Sequence, residues 1–151
     1  MNYTLQQIRS DLRALAERWD AYEAEPISIP GWTVPGFNLH LGERHIGTIL
    51  SDDGHGHHII RLPYDQDKRL TWQEAMEYAE QEGAELPDRV EGALLYAKRE
   101  ADEYAAEYHW TREQLAGHES YAWLQSFGYG SQSLIHKDFK YRVVLVRRIP
   151  V

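Results

Sequence analysis

Two helix-start signals in the middle of the chain constrain its fold more than any other feature. Thr71 is followed three residues later by Glu74, and Asp88 is followed three residues later by Glu91. In this capping-box arrangement each side chain accepts a hydrogen bond from the other residue's backbone N–H, so each pair predicts the first turn of a helix. Gly83 stands between the pairs, and glycine is the preferred residue just past a helix end. We therefore predict one helix from Thr71 and a second from Asp88.

Each predicted helix has an apolar face at helical spacing. The first face comprises Trp72, Ala75, Met76 and Ala79, and the second comprises Val90, Leu94, Leu95, Ala97 and Ala101. A helix with one apolar stripe buries that stripe against another element. We expect both helices to pack over a sheet.

Strand patterns flank the two helices. Residues 37–62 predict one or two strands, a turn at an Asp-Gly pair and a returning strand. Residues 121–127 alternate with a period of two, and residues 131–136 would return antiparallel after a glycine-containing turn. The aliphatic run 143–146 predicts a strand covered on both faces. Because helices gather in the first two-thirds and strands in the last third, the pattern predicts an α+β fold.

The N-terminal segment predicts a separate amphipathic helix over residues 1–25, with Thr4 as its N-cap. Residues 26–36 are rich in proline and glycine and predict an extended connector to a domain over 37–151. The helix carries apolar residues spaced as a heptad seam: Leu5, Ile8, Leu12, Leu15, Trp19 and Tyr22. Such a seam can dock on its own domain or form a homodimer, and both possibilities stay open.

The chain has 151 residues and no cysteine, which excludes a disulfide scaffold, a cysteine-based zinc site and a thiol nucleophile. The first residues carry both charge signs and lack the apolar core of a secretory signal. No stretch approaches the ~20 apolar residues of a membrane span. We expect a cytoplasmic protein, located in a host cell.

Charge is distributed unevenly along the chain. The net charge is −8, and eleven acidic residues lie between Thr71 and Glu107, whereas the segment from His136 to Val151 sums to +4. The acidic segment has two interpretations: a solvated outer face of the helices, or a surface that mimics the DNA phosphate backbone and occupies a basic groove on another protein. Direct nucleic-acid binding is disfavoured because the basic cluster is small and the total charge is negative.

The residues that most resemble a chemical site are three histidines near the Asp-Gly turn. His57 and His58 are adjacent on a predicted strand, so they point to opposite faces and only one can join His55. A metal site needs three or four converging ligands, so a solvated polar hairpin is the better interpretation. No nucleophile or phosphate-binding motif is present, and we predict neither a cofactor nor an enzymatic activity.

Two blocks of the sequence resemble known families. Arg69–Ala97, in which a capped helix leads through a Leu-Pro step to a second helix, resembles the helical signature of C-type-lectin-like domains such as the formylglycine-generating-enzyme family. Tyr108–Ile149 resembles the strand region of the domain of unknown function 1566. Its matching positions are Trp110, Tyr121-Ala122-Trp123, Phe127 with Gly130, Lys137 or Lys140, and Val146-Arg147-Arg148. The stretch 42–47 and the hairpin after it resemble the phage-encoded branch of that family.

The resemblance implies a C-type-lectin-like fold in which ligands contact the late strands and their loops. The departures from it also matter. Without cysteine the formylglycine-generating activity does not carry over, and the sugar-binding triplets of calcium-dependent lectins are missing.

We therefore expect a non-catalytic phage-type accessory protein that binds a host protein. It would inhibit a defence or nucleic-acid-processing complex, in the manner of anti-CRISPR or anti-restriction proteins. The alternatives are a receptor- or glycan-binding module and an uncharacterised enzyme. The predicted partner-binding residues are Trp110, Arg112, Tyr121, Tyr129 and Gln132 on the strands and Glu74, Glu77, Glu80 and Glu91 on the helices.

Overall fold

The computed structural model of the protein describes residues 4–23, 28–29, 32–33 and 38–151, with side chains for residues 4–17 and 38–151. The chain divides into two compact units, Met1–His40 and Leu41–Val151. Within the described residues, no helix is both long enough and apolar enough to cross a membrane.

The first unit contains a helix and two short strands. These are α1 (Leu5–Glu23) and the antiparallel pair β1 (Ser28–Ile29) and β2 (Trp32–Thr33). Thr4 caps α1 as predicted, because its hydroxyl accepts the Gln7 N–H at 3.3 Å. The predicted helix end and most of the connector lie outside the described residues.

The second unit is a mixed α+β structure with two helices and two sheets. Its elements are β3 (Arg44–Leu50), β4 (Gly56–Arg61), β5 (Arg69–Leu70), α2 (Trp72–Gln81), α3 (Arg89–Ala97), β6 (Tyr108–Leu115), β7 (His118–Ser126), β8 (Gln132–His136), β9 (Tyr141–Arg142) and β10 (Val146–Pro150). One sheet has the strand order β10-β4-β3 and is antiparallel. The other has the order β5-β9-β6-β7-β8, in which only β9 and β6 pair in parallel.

Both predicted capping boxes are present. Thr71 and Glu74 exchange hydrogen bonds of 3.3 Å, and Asp88 and Glu91 exchange bonds of 2.7 and 2.8 Å. Gly83 has a φ of +66° directly after the α2 C-cap, a conformation that glycine adopts without strain. Local sequence therefore determines where both helices begin and where α2 ends.

The position of α3 depends on two glycines. A Cβ at Gly47 of β3 would lie 3.1 Å from a methyl carbon of Leu94, and a Cβ at Gly92 would lie 3.4 Å from the Cβ of Gln125 on β7. Because glycine has no side chain, these two positions let α3 approach one strand of each sheet. The apolar face predicted for α3 is displaced: Val90 is exposed, Ala101 lies beyond the helix, and Glu91 is buried.

The segment 143–146 separates two hydrophobic cores. Val143 and Leu145 pack in the core beneath α2, whereas Val144 and Val146 pack in the core beside α3. All four are buried, so the predicted covering on both faces is confirmed. The prediction of a strand is only partly right, because β10 begins at Val146 and the three preceding residues cross from one sheet to the other.

Candidate functional site

Most of the acidic segment is neutralised by arginines that are distant in sequence. Six of its eleven carboxylates lie within 4.0 Å of an arginine nitrogen: Glu85, Asp88, Glu91, Glu100, Glu103 and Glu107. Two of the arginines, Arg142 and Arg148, come from the basic C-terminal segment. The two charged segments therefore partly cancel, and the acidic surface is smaller than the sequence suggested.

Glu91 belongs to a buried ion pair and not to a contact surface. Its carboxylate accepts hydrogen bonds from Arg148 Nε at 2.7 Å and Nη2 at 2.5 Å, and His57 Nε2 lies 3.2 Å away. Burial raises the pKa of Glu91, and the hydrogen bond from the Asp88 backbone opposes that shift. Because its side chain is 0% exposed, Glu91 cannot contact a partner, which corrects the sequence-based prediction.

Four acidic residues of α2 and its C-cap keep uncompensated charge. Glu74, Glu77, Glu80 and Glu82 are exposed, and no ion pair joins any of them to a basic side chain in the described part of the chain. The hydrogen bond from the Thr71 side chain lowers the pKa of Glu74, and its backbone adds to that effect. We call these four residues the α2 acidic surface.

An open groove of about 410 Å³ lies beside this surface. Its lining combines apolar side chains with a polar rim: Trp72, Met76, Ala79, Ala84 and Leu86, with Gln73, Glu77, Glu80, Glu85 and Arg112. The groove thus brings together three of the predicted partner-binding residues, Glu77, Glu80 and Arg112. Glu74 lies one turn earlier on α2 and does not line it.

Backbone hydrogen bonds fix the far wall of the groove. Glu85 and Val146 exchange two bonds of 2.9 Å, and the Ala84 N–H donates to the Ala79 carbonyl at 2.9 Å. The Trp72 indole N–H donates to the Thr111 carbonyl at 2.9 Å, which orients the ring. Hydrogen bonds therefore hold both walls in place, and no sequence pattern predicted that residues 84–86 would line a groove with α2.

The charges on the groove rim are not equivalent. Arg112 lies 3.6 Å from a Glu85 oxygen and 3.8 Å from an Asp88 oxygen, and Glu85 also contacts Arg148. The charge of Glu85 is therefore compensated. Among the described residues, Glu77 accepts only a neutral hydrogen bond, from the Gln73 amide at 3.2 Å, so Glu77 and Glu80 give the rim its negative potential.

Four of the partner-binding residues predicted on the strands separate into buried and exposed members. Trp110 is 0% exposed and donates its indole N–H to the Leu70 carbonyl at 2.8 Å, so the prediction of an exposed anchor is wrong. Tyr121 and Tyr129 are 41% and 89% exposed near the two ends of the β7–β8 hairpin. Gln132 is half-buried and donates to the Arg89 carbonyl at 2.7 Å. None of these four lines the groove.

The heptad seam of α1 is exposed where its side chains are described. Leu5, Ile8, Leu12 and Leu15 are 76%, 44%, 61% and 58% exposed, and the side chain of Trp19 lies outside the described residues. Dimerisation through this seam stays a prediction.

The sequence did not predict a hydrogen-bonded tyrosine–histidine pair, whose histidine is buried and whose tyrosine is half-buried. Tyr64 Oη lies 2.6 Å from His109 Nε2, and His109 Nδ1 lies 3.0 Å from the Glu107 carbonyl oxygen. Burial lowers the pKa of His109 to about 4. His109 is 0% exposed, so it cannot reach a substrate in this conformation. The two residues are far apart in sequence, and no local pattern connects them.

Comparison with models of known protein families gave no match, and comparison with curated proteins gave none either.

Proposed function

We propose that this protein is a non-catalytic binding protein that captures a basic segment of a protein partner on the α2 acidic surface. One observation carries the proposal: four carboxylates that form no ion pair in the described residues lie around the solvent-facing half of α2, two of them at the rim of an open groove, whereas the other acids of the segment are largely paired with arginines. A surface that combines unpaired charge with an apolar floor favours a partner of opposite charge and mixed polarity.

We further propose that the second unit is a C-type-lectin-like domain of the phage-encoded type. Three features support this fold. The last strand, β10, pairs with the early strand β4, two capped helices follow that early hairpin, and the late strands form a second sheet. With the resemblance of residues 41–149, these features favour an accessory protein that binds a host protein and blocks it.

The geometry favours a basic protein segment over mimicry of a long DNA duplex. From Glu74 to Glu82 the helix rises about 12 Å, at ~1.5 Å per residue. Duplex DNA presents about seven phosphate charges over that length, at one per ~1.7 Å of axis. The α2 acidic surface has four. It therefore matches a short run of lysine and arginine better than an extended DNA-binding cleft.

A non-catalytic role agrees with the positions of two histidines. His57 supports the Glu91–Arg148 ion pair, and His109 is enclosed with Tyr64. Both arrangements hold elements of the core together, which is a structural role.

The proposal predicts that charge reversal on α2 slows binding to the native partner. The parent protein is used to isolate that partner from host cells, and association is then measured with the purified pair at several salt concentrations. For the double variant Glu77→Lys/Glu80→Lys we expect an association rate lower by roughly 10-fold or more at low salt. The matched control, Asp52→Lys/Glu119→Lys, makes the same change in net charge at exposed positions outside α2.

The comparison between the two double variants decides the proposal. Slower, salt-dependent association confined to the α2 variant would support it, since screening weakens interactions between exposed charges. Equal rates for the parent and both variants, with no dependence on salt, would refute it. The partner is isolated from a nuclease-treated lysate, so that nucleic acid cannot bridge it to the protein.

A further inference from the structure

We infer that the groove beside α2 is a specificity pocket that receives one large apolar side chain of the bound basic segment. This inference rests on the proposed function and adds the chemical pattern that the partner must carry. The expected pattern is a leucine, methionine or aromatic residue with lysine or arginine on both sides.

The floor of the groove is suited to an apolar group. Trp72 and Leu86 are 7% and 1% exposed, so the floor is the outer edge of the core that includes them. Met76 adds an unbranched thioether, which adapts to the shape of a bound side chain. A volume of about 410 Å³ lies at the small end of the range for ligand sites, which suits one or two side chains.

The rim determines which sequence can carry that side chain. Glu77 and Glu80 are solvent-exposed at the edge formed by α2, and their charges are uncompensated within the described structure. An uncharged apolar peptide would leave both carboxylates without partners. Lysine or arginine on either side of the apolar residue would give each carboxylate an ion pair, so the groove selects a basic and apolar sequence together.

Arg112 provides a donor on the opposite edge. Its contacts of 3.6 and 3.8 Å with Glu85 and Asp88 are longer than hydrogen bonds, and a guanidinium has five N–H donors. The side chain is 40% exposed. It therefore keeps donors for a backbone carbonyl of the bound segment, which would orient an extended peptide along the groove.

Synthetic peptides test this inference without knowledge of the native partner. The first probe is a labelled peptide with one leucine flanked on each side by two arginines, and the second has serine in place of leucine. Binding to the full chain is measured by fluorescence anisotropy. Burial of the leucine should make the first peptide bind roughly 10- to 100-fold more tightly than the second.

Two variants that fill the groove provide the structural control. Ala84→Phe fills it from the far wall, and Gln73→Trp fills it from an exposed helical position that leaves the core intact. We expect both to abolish the preference for leucine while retaining the residual binding of the serine peptide. Retained binding of the serine peptide shows that each variant is folded.

The outcomes separate this inference from the proposed function. If both peptides bind equally to the parent and both are lost in Glu77→Lys/Glu80→Lys, the acidic surface binds basic segments and the pocket inference is wrong. If the leucine preference persists in the filled variants, the apolar residue binds elsewhere and the inference is also wrong. If neither peptide binds, the inference fails, while the native-partner experiment still tests the α2 acidic surface independently.

Discussion

Replacing His109 should remove a specific part of the acid sensitivity of this fold. His109 is neutral in the folded protein because burial lowers its pKa to about 4 from the ordinary value of 6.5. His109 Nδ1 lies 3.0 Å from the Glu107 carbonyl oxygen, and because a carbonyl only accepts, Nδ1 carries the proton. Nε2 therefore accepts the hydrogen bond from the Tyr64 hydroxyl. A second proton on the ring, at Nε2, would require the Tyr64 hydroxyl to turn its own proton away from His109.

The size and sign of the effect follow from this difference in pKa. Between pH 6.5 and about 4 the unfolded chain binds a proton at His109 and the folded protein does not, so the free energy of unfolding falls as the pH falls. At about 1.4 kcal/mol per pKa unit, the loss across that window is about 3 kcal/mol. Above pH 6.5 the contribution of neutral His109 to the free energy of unfolding is fully present, and below pH 4 this contribution changes no further.

Urea unfolding at half-unit steps from pH 7.5 to 4 measures this contribution. His109→Gln keeps an amide that can donate to the Glu107 carbonyl, but it cannot titrate. We expect the variant to be less stable at pH 7.5 and to lose about 3 kcal/mol less than the parent on acidification, so the two curves converge. His118→Gln, at an exposed histidine, is the matched control and should follow the parent.

The difference between parent and variant cancels the titration of the carboxylates. Glu74, for example, has its pKa lowered by hydrogen bonds from Thr71 and not by any contact with His109, so its titration contributes equally to the parent and to His109→Gln. If His109→Gln and the parent decline in parallel from pH 6.5 to 4, His109 is not held neutral by the fold, and the reasoning is refuted.

Three further predictions concern stability and assembly. Glu91→Gln should destabilise the fold by about 3 kcal/mol in urea unfolding, since Arg148 loses its buried charged partner and keeps only the exposed Glu85, and adding Arg148→Met should recover part of that loss. By the same measurement, Gly130→Ala should lower the free energy of unfolding by about 1 kcal/mol more than Gly117→Ala. Both glycines have a φ of about +80°, but only a Cβ at Gly130 would collide with a side chain, that of Tyr96. Equal losses of stability in the two variants would contradict this packing. If α1 forms a homodimer, Leu12→Glu should halve the mass measured by sedimentation equilibrium, and an unchanged mass would exclude α1 as the interface.

The paired arginines explain why charge counting overestimated the acidic surface. Ion pairs such as Arg44–Glu103 and Arg148–Glu91 join residues separated by 59 and 57 positions in sequence. Net charge by segment contains no information about such pairs, because each partner can face any part of the fold. The useful quantity is therefore the charge that remains uncompensated after folding, and in the acidic segment it is concentrated on α2.

The sequence by itself determined the local features of this protein. Two capping boxes, the Gly83 stop and the period-two strand pattern of residues 121–127 depend on contacts within a few residues, so the sequence predicts them well. The prediction that residues 143–146 would be covered on both sides also held, because a continuous aliphatic run leaves no face for water. The α+β class follows from the order of these elements.

Only the tertiary structure decided which side chains are available to a partner. Glu91 and Trp110 are residue types that often form contact surfaces, but each is 0% exposed. Inside the fold, Arg148 pairs with the Glu91 carboxylate, and the Leu70 carbonyl accepts the Trp110 indole N–H. The groove likewise depends on long-range contacts, among them the two hydrogen bonds between Glu85 and Val146. Periodicity identifies the face of an element, whereas burial and pairing depend on what the rest of the chain places against that face.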